Sequence, residues 1–225
     1  MKRVIMSGLF ALVVAFVPQT LRAQGTMTYL SNLGQTIAGS LAVGSNSWVA
    51  TMFHTGANAN GYSLNSIQLG MADASGNPTN FMAMLYSANT FGAILPGSNL
   101  GTLEGSLNPT SAGIFTFTPA SNQTLLPNTD YFIVLTAGTA VANGAYNWNY
   151  ANTYSYNPVD GWNGGLAIGS NDGSSSSWVR LGASPQYYYP EFAINATAIP
   201  EPGVLGLLGL GGLAFLWHCR KAKGT

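Results

Sequence analysis

The stretch LLPNTDYFIVL, residues 125–135, carries the strongest indication of the fold class in this sequence. Its second half, residues 131–135, is an uninterrupted run of aromatic and aliphatic side chains, which is typical of a strand buried on both faces. The PNTD segment before it is a turn signal, because Pro fixes a backbone angle and Asn and Asp hydrogen-bond their own backbone. The stretch therefore predicts a turn that leads directly into a central strand of a β-sheet.

Weaker strand patterns lie on both sides of this central one. Apolar residues alternate with polar or small ones at residues 67–71 and again at residues 115–117, which is the period of a half-buried strand. Clusters rich in Gly, Pro, Asn and Ser separate these runs, and no stretch between the chain ends shows a sustained helical period. We therefore expect an all-β fold, an antiparallel β-sandwich or jelly roll, formed as one domain by residues 24–198.

Charge is scarce and unevenly distributed. Charged residues make up 6% of the 225-residue chain, against about 25% in an average soluble protein. Residues 24–200 hold a single basic residue, Arg180, and six acidic ones. Such an acidic body lacks the basic patch that nucleic-acid binding needs. With one histidine, His54, and no cysteine, it cannot form a closed zinc site, so we expect neither a transition metal nor a cofactor.

The first 23 residues have the order of features that is typical of a secretory signal peptide. Lys2 and Arg3 precede an apolar run at residues 4–17, and Ala23 offers a small residue before a cleavage point. The run is too short for a comfortable membrane span. We expect residues 1–23 to be a signal helix that directs export; the alternative is a buried N-terminal helix.

A second targeting pattern lies at residues 199–225. A short proline-rich motif precedes an apolar, Gly-rich run at residues 204–217, which predicts a hydrophobic helix, and a basic tail follows. The run is marginal for a bilayer, which needs about 20 residues, and the basic tail would remain on the cytoplasmic side. The motif consists of Pro200, Glu201 and Pro202.

This order of motif, apolar helix and basic tail resembles the PEP-CTERM sorting signal. In Gram-negative bacteria an exosortase, a membrane-embedded cysteine transpeptidase-like enzyme, reads that signal. The resemblance implies transient anchoring by the C-terminal helix, cleavage near Pro200-Glu201-Pro202, and delivery to the cell surface or the extracellular matrix. The alternative is an ordinary membrane anchor whose tail is retained.

The body also resembles the choice-of-anchor R type of domain, which is often found upstream of such signals. The resemblance runs from residues 47–50 through 64–70 and 85–86 to 112–135, and it includes the pattern L-x-P-x-T-x-Y at residues 125–131. It implies a surface-exposed β-sandwich and transfers no site residues.

Tyr, Trp and Asn are concentrated between residues 146 and 163. Aromatic rings stack on the apolar faces of sugars, and Asn amides both donate to and accept from hydroxyl groups. The segment therefore predicts a glycan-contact surface. Two alternatives are core packing with Asn in turns and a protein interface, which uses the same residue types. The candidate glycan contacts are Trp148, Tyr150, Tyr154 and Trp162.

The sequence offers little support for catalysis. His54 would need an orienting carboxylate, and no Gly-x-Ser-x-Gly nucleophile elbow is present. Asp160 and Glu191 are the pair that a glycoside hydrolase could use, since aromatic residues flank both. Asp73 to Asn77 space their oxygens as a calcium loop does but lack its Gly and Glu, so a hairpin turn is the plainer interpretation.

Together these features favour an exported, non-enzymatic protein of the cell surface or extracellular matrix. We expect a structural or adhesive role in an exopolysaccharide or biofilm layer, with glycan as the candidate ligand and an exosortase-type enzyme as the processing partner. The alternatives are a carboxylate-dependent glycan-processing enzyme and a protein-interaction module tethered to the membrane.

Overall fold

A computed structural model describes residues 25–89, 94–174, 177–183 and 186–200. The predicted signal helix at residues 1–23 and the predicted apolar helix at residues 204–217 lie outside these ranges. Among the described residues, no helix has the length and apolar character needed to cross a membrane.

The regular secondary structure of the described residues consists of β-strands and one 3₁₀ turn at Val141–Asn143. The strands are β1 Met27–Ser31, β2 Gly39–Val43, β3 Trp48–His54, β4 Tyr62–Gly76, β5 Met82–Asn89, β6 Leu95–Glu104, β7 Gly113–Pro119, β8 Gln123–Leu125, β9 Asp130–Thr136, β10 Gly144–Ala151, β11 Asn163–Ser170, β12 Val179–Arg180, β13 Gly182–Ala183, β14 Gln186–Tyr187, β15 Tyr189–Pro190 and β16 Phe192–Ala198.

Fourteen of these strands hydrogen-bond into one antiparallel sheet that curls into a half-barrel. Its main path runs β1-β16-β4-β7-β6-β5-β9-β3-β11-β12, while β10 attaches to β4 and carries β2 and β15. Strands β13 and β14 form a separate two-stranded ribbon. The prediction of an all-β antiparallel fold is confirmed, but the strands form one continuous curled sheet rather than the two separate sheets of a sandwich.

The sheet is continuous because β6 and β7 pair at its corner. Their ladder is short, with Leu103 opposite Pro119 at its end. The chain then turns at Gly105, where a Cβ would lie 2.4 Å from a ring carbon of Phe117. Since no side chain fits there, the glycine permits the close approach that joins the two halves of the sheet.

Strand β4 is the axis of one half of the sheet. It pairs with β16 and β10 along one edge and with β8 and β7 along the other. Its side chains Ile67, Leu69 and Met71 are fully buried in the main core, as their alternation in the sequence predicts.

Strand β9 is the axis of the other half, between β3 and β5. Its side chains Tyr131, Ile133 and Leu135 enter the main core inside the curl. Phe132 and Val134 point to the opposite face and join a second cluster that includes Trp178. The prediction of a strand buried on both faces is confirmed.

Burial on both faces of β9 predicts that truncations on either face destabilise the protein. We expect Ile133→Ala, inside the curl, to cost about 2–5 kcal/mol and Phe132→Ala, on the outer face, about 3–5 kcal/mol. Chemical denaturation of body residues 24–200 measures both. The control is Ile114→Thr, because Ile114 is 60% exposed on β7 and should change stability by about 0.5 kcal/mol or less. A Phe132→Ala variant as stable as the wild type would contradict the outer cluster.

Candidate functional site

The two tryptophans among the candidate glycan contacts are core residues. Trp148 is 0% exposed and Trp162 is 2% exposed. The Trp148 Nε1 donates to the Glu191 carbonyl oxygen at 2.9 Å. The Trp162 ring stacks on Phe53 with centroids 6.0 Å apart and planes 2° from parallel. Neither indole can reach a surface ligand, so the prediction that these two residues contact glycan is corrected in favour of core packing.

The two tyrosines of that set lie at the surface. Tyr154 is 52% exposed, and Tyr150 is half-buried near the end of β10. The ring of Tyr150 lies 4.3 Å from that of Tyr188, measured between centroids. Tyr154 meets Tyr189 edge-to-face at 5.5 Å. We call Tyr150, Tyr154, Tyr188 and Tyr189 the tyrosine patch.

Strand pairing brings together the two segments that carry these tyrosines, with Tyr150 and Tyr189 at successive ladder positions whose side chains alternate in direction. Tyr150 lies opposite Pro190, and Ala151 lies opposite Tyr189, in the ladder between β10 and β15. The sequence singled out Tyr150 and Tyr154 but not their partners Tyr188 and Tyr189. A run of three tyrosines at residues 187–189 is the only sequence signal that could have indicated them.

A buried tyrosine supports the patch from behind. Tyr156 is 8% exposed, and its ring meets that of Tyr154 edge-to-face at 5.2 Å. Its hydroxyl donates to the Gly165 carbonyl oxygen at 2.9 Å. Its ring covers Gly164 so closely that a Cβ there would lie 2.4 Å from a ring carbon. The Tyr154 ring therefore rests on a fixed surface.

The hydroxyl groups of Tyr150 and Tyr189 stay protonated at physiological pH. Burial raises the pKa of Tyr150 and of Tyr189 above the ordinary phenol value. The Tyr154 hydroxyl donates to the Asn163 side-chain oxygen, and Asn163 is itself exposed. The patch thus offers phenol hydroxyls and a neighbouring amide, which suits a ligand rich in hydroxyls.

Asp160 and Glu191, the candidate glycosidase pair, have different surroundings. The Asp160 carboxylate accepts a hydrogen bond from the Tyr62 hydroxyl at 2.7 Å. Glu191 is 4% exposed, and its carboxyl lies so close to Gly70 that a Cβ there would be 2.8 Å from Oε2. Its Oε1 has no hydrogen-bond partner within the described part of the chain.

Burial raises the pKa of the Glu191 carboxyl above its ordinary value. Interactions with the Gln35 backbone and the Asn149 side chain oppose this shift but do not cancel it. A carboxyl closed off in this way cannot reach a polymer at the surface. Asp160, in contrast, is exposed.

His54 has an orienting carboxylate that the sequence did not reveal. His54 and Asp130 are directly opposite on β3 and β9, and the His54 Nδ1 lies 2.7 Å from an Asp130 carboxylate oxygen. The neighbouring hydroxyls of Thr55 and Thr129 donate to backbone carbonyl oxygens. Only the register of two strands far apart in the chain creates this pair, so no local motif could indicate it.

The candidate calcium segment, Asp73 to Asn77, is neither a calcium loop nor a hairpin turn. Strand β4 continues through Gly76 and pairs there with β10. The Asp73 carboxylate accepts a hydrogen bond from the Ala112 backbone at 2.8 Å. Across the described ranges, no three His, Cys, Asp or Glu side chains are grouped to hold a metal ion.

The buried Glu191 predicts a pH-dependent stability difference between the wild type and Glu191→Gln. A carboxyl whose folded-state pKa is raised contributes stability below its unfolded-state pKa, and this contribution is lost as the pH rises through the folded-state pKa. Since Gln does not titrate, the melting temperature of the wild type should fall relative to Glu191→Gln between pH 4 and pH 8. Thermal melts of both proteins at each pH measure this, and a constant difference would contradict the buried carboxyl.

The last described residues are held against the body. Strand β16 ends at Ala198, and the Ile199 backbone N–H then donates to the Gly61 carbonyl oxygen at 3.0 Å. The Asn58 side chain donates to the Ile199 carbonyl oxygen at 3.1 Å, and the Asn60 side chain donates to that of Pro200 at 2.7 Å. The body therefore holds the chain as far as the first residue of the motif, while Glu201 and Pro202 lie outside the described residues.

Comparison with known proteins identifies one feature of the chain. Residues 198–221 match the PEP-CTERM protein-sorting motif. No curated protein and no solved structure matches the chain. The predicted sorting signal is confirmed, whereas the resemblance of the body to the choice-of-anchor R type stays a prediction. The chain carries a C-terminal PEP-CTERM motif, which implies an exported protein that an exosortase processes and sorts to the cell surface.

Proposed function

We propose that the body is a non-enzymatic component of the cell surface or extracellular matrix, and that its tyrosine patch binds a neutral exopolysaccharide. The observation that carries the proposal is the patch itself. Its four tyrosines come from two distant segments and pair as Tyr150 with Tyr188 and Tyr154 with Tyr189, and the acid next to them in the sequence, Glu191, is buried.

The geometry of the patch suits a sugar ring. Because Tyr154 meets both Tyr156 and Tyr189 edge-to-face, these neighbours support its ring without stacking on it. Half of the residue remains exposed and can take the apolar face of a sugar. The Tyr154 hydroxyl and the amide of Asn163 lie beside that ring and can exchange hydrogen bonds with the sugar hydroxyls.

Such a site binds one sugar weakly and a polymer well. An aromatic stacking contact contributes about 1 kcal/mol beyond the area that it buries, so a few contacts give an affinity near the millimolar range, about 4 kcal/mol. A polysaccharide repeats its unit, so several copies of the protein on one surface can engage the same polymer. Binding at several copies then raises the overall affinity without any new contact.

The enzyme alternative has less support. Glu191 is closed to solvent, and the Asp160 carboxylate accepts the Tyr62 hydroxyl. A protein-interaction role uses the same residue types, and it becomes an outcome of the experiment below.

Co-sedimentation of body residues 24–200 with the exopolysaccharide of the producing organism tests the proposal. We expect Tyr154→Ala and Tyr188→Ala each to weaken binding by about fivefold or more, since each loses about 1 kcal/mol per site. Tyr154→Phe keeps the ring and should bind nearly as the wild type does. Ile114→Ala is the control, because it removes an exposed apolar side chain elsewhere on the sheet.

Three outcomes would contradict the proposal. Equal binding of the exopolysaccharide by the wild type and by Tyr154→Ala would show that the tyrosine patch does not bind glycan. Self-association of the body that Tyr154→Ala abolishes, without polysaccharide binding, would favour the protein-interaction alternative. Shortening of the polymer by the wild type, lost in Asp160→Asn, would establish the enzyme instead.

A further inference from the structure

The end of the body leaves almost no chain free in front of the sorting motif. On one side, β16 pairs with β1 as far as Ala196, and on the other it pairs with β4 as far as Ala198. Ala196 is fully buried in the main core. Pulling this end of β16 out of the sheet would break both ladders and expose the core.

Another protein cannot bind the backbone of a strand that is already paired on both edges. Enzymes and receptors that bind extended peptides need free backbone N–H and C=O groups to pair with. As far as Ala196 these groups pair with β1 and β4, and Thr197 and Ala198 pair with β4 alone. The chain first becomes accessible near Pro200, which is exposed.

The contact that holds Ile199 and Pro200 is itself a rigid turn. The Gly61 backbone N–H donates to the Asn58 carbonyl oxygen at 2.8 Å, and the Asn58 backbone N–H donates to the Tyr62 hydroxyl at 3.2 Å. Gly61 has a positive φ of 75°, and a Cβ there would lie 2.2 Å from the Leu125 carbonyl oxygen. We call residues 58–61 the presenting turn.

We propose that the presenting turn positions the sorting motif for the exosortase, and that cleavage falls on the C-terminal side of Pro200. Asn58 and Asn60 are positioning residues in this account, because they fix the backbone next to the scissile segment without taking part in the chemistry. The enzyme then meets a motif whose first residue is already held by the body. The proposal rests on the sorting motif and is independent of glycan binding.

The cleavage step itself is an acyl transfer. The peptide bond breaks, its carbonyl carbon passes to water or to the amine of an acceptor, and the apolar tail leaves with a new amino terminus. Because the body holds Pro200, the new C-terminus lies within a few residues of the folded sheet.

The test uses the full chain expressed in a host that contains the exosortase. The intact mass of the mature protein should correspond to a C-terminus at Pro200 or later. A mature chain that ends at Ile199 or earlier would overturn the proposal, because the enzyme would then have taken residues that the sheet holds.

Variants test the role of the presenting turn separately. We expect Asn60→Ala, and Asn58→Ala together with Asn60→Ala, to slow the appearance of the mature form by about threefold to tenfold, the effect of losing one or two hydrogen bonds. The matched control is Asn65→Ala, since Asn65 bonds the Thr197 side chain and not the backbone of the motif. It should be processed at the wild-type rate.

A flexible insertion distinguishes presentation by the body from recognition of the motif alone. Six Gly and Ser residues between Ala198 and Ile199 separate the motif from the presenting turn and leave its sequence unchanged. We expect the insertion to slow processing at least as much as Asn60→Ala does. Processing at the wild-type rate or faster would overturn the positioning role, and a thermal melt of each mature variant shows that the body has folded.

Discussion

The burial of strand β9 on both faces is the constraint on which this structure depends. Its residues alternate between two apolar clusters, with Ile133 in the main core and Phe132 in the outer cluster. A strand in that position must have neighbours on both edges, because unpaired backbone groups in an apolar layer are costly. Strands β3 and β5 supply them, and the rest of the sheet curls outward from this centre.

The sequence was sufficient for features that depend on local composition. An apolar run without polar alternation indicated the two-sided burial of β9, and alternation indicated the buried face of β4. It was not sufficient for features that depend on long-range pairing. The ladder between β6 and β7 turns two half-sheets into one, and only the turn at Gly105 makes that corner possible. Nothing in the local pattern distinguishes such a corner from an ordinary loop.

In the aromatic segment, too, the sequence predicted the general character of the surface but not which individual side chains are exposed. Trp148 and Tyr150 are two positions apart on β10, so both side chains lie on one face of the strand. The core covers Trp148 completely, whereas Tyr150 lies near the end of the strand, between Gly39 of β2 and Pro190 of β15. Composition identified a segment suited to sugars, but the position along the strand decides which rings are accessible. The partners Tyr188 and Tyr189 come from a strand pairing that no motif encodes.

The fold holds both the sorting motif and the candidate glycan-binding surface in fixed positions. The presenting turn holds the chain as far as Pro200, and the tyrosine patch rests on the buried ring of Tyr156. The most direct test of glycan binding by the tyrosine patch is NMR of the labelled body during titration with fragments of the exopolysaccharide. The account predicts shifts at the rings of Tyr150, Tyr154, Tyr188 and Tyr189, with unchanged indole N–H signals of Trp148 and Trp162. Shifts at the indoles with silent tyrosines would contradict it.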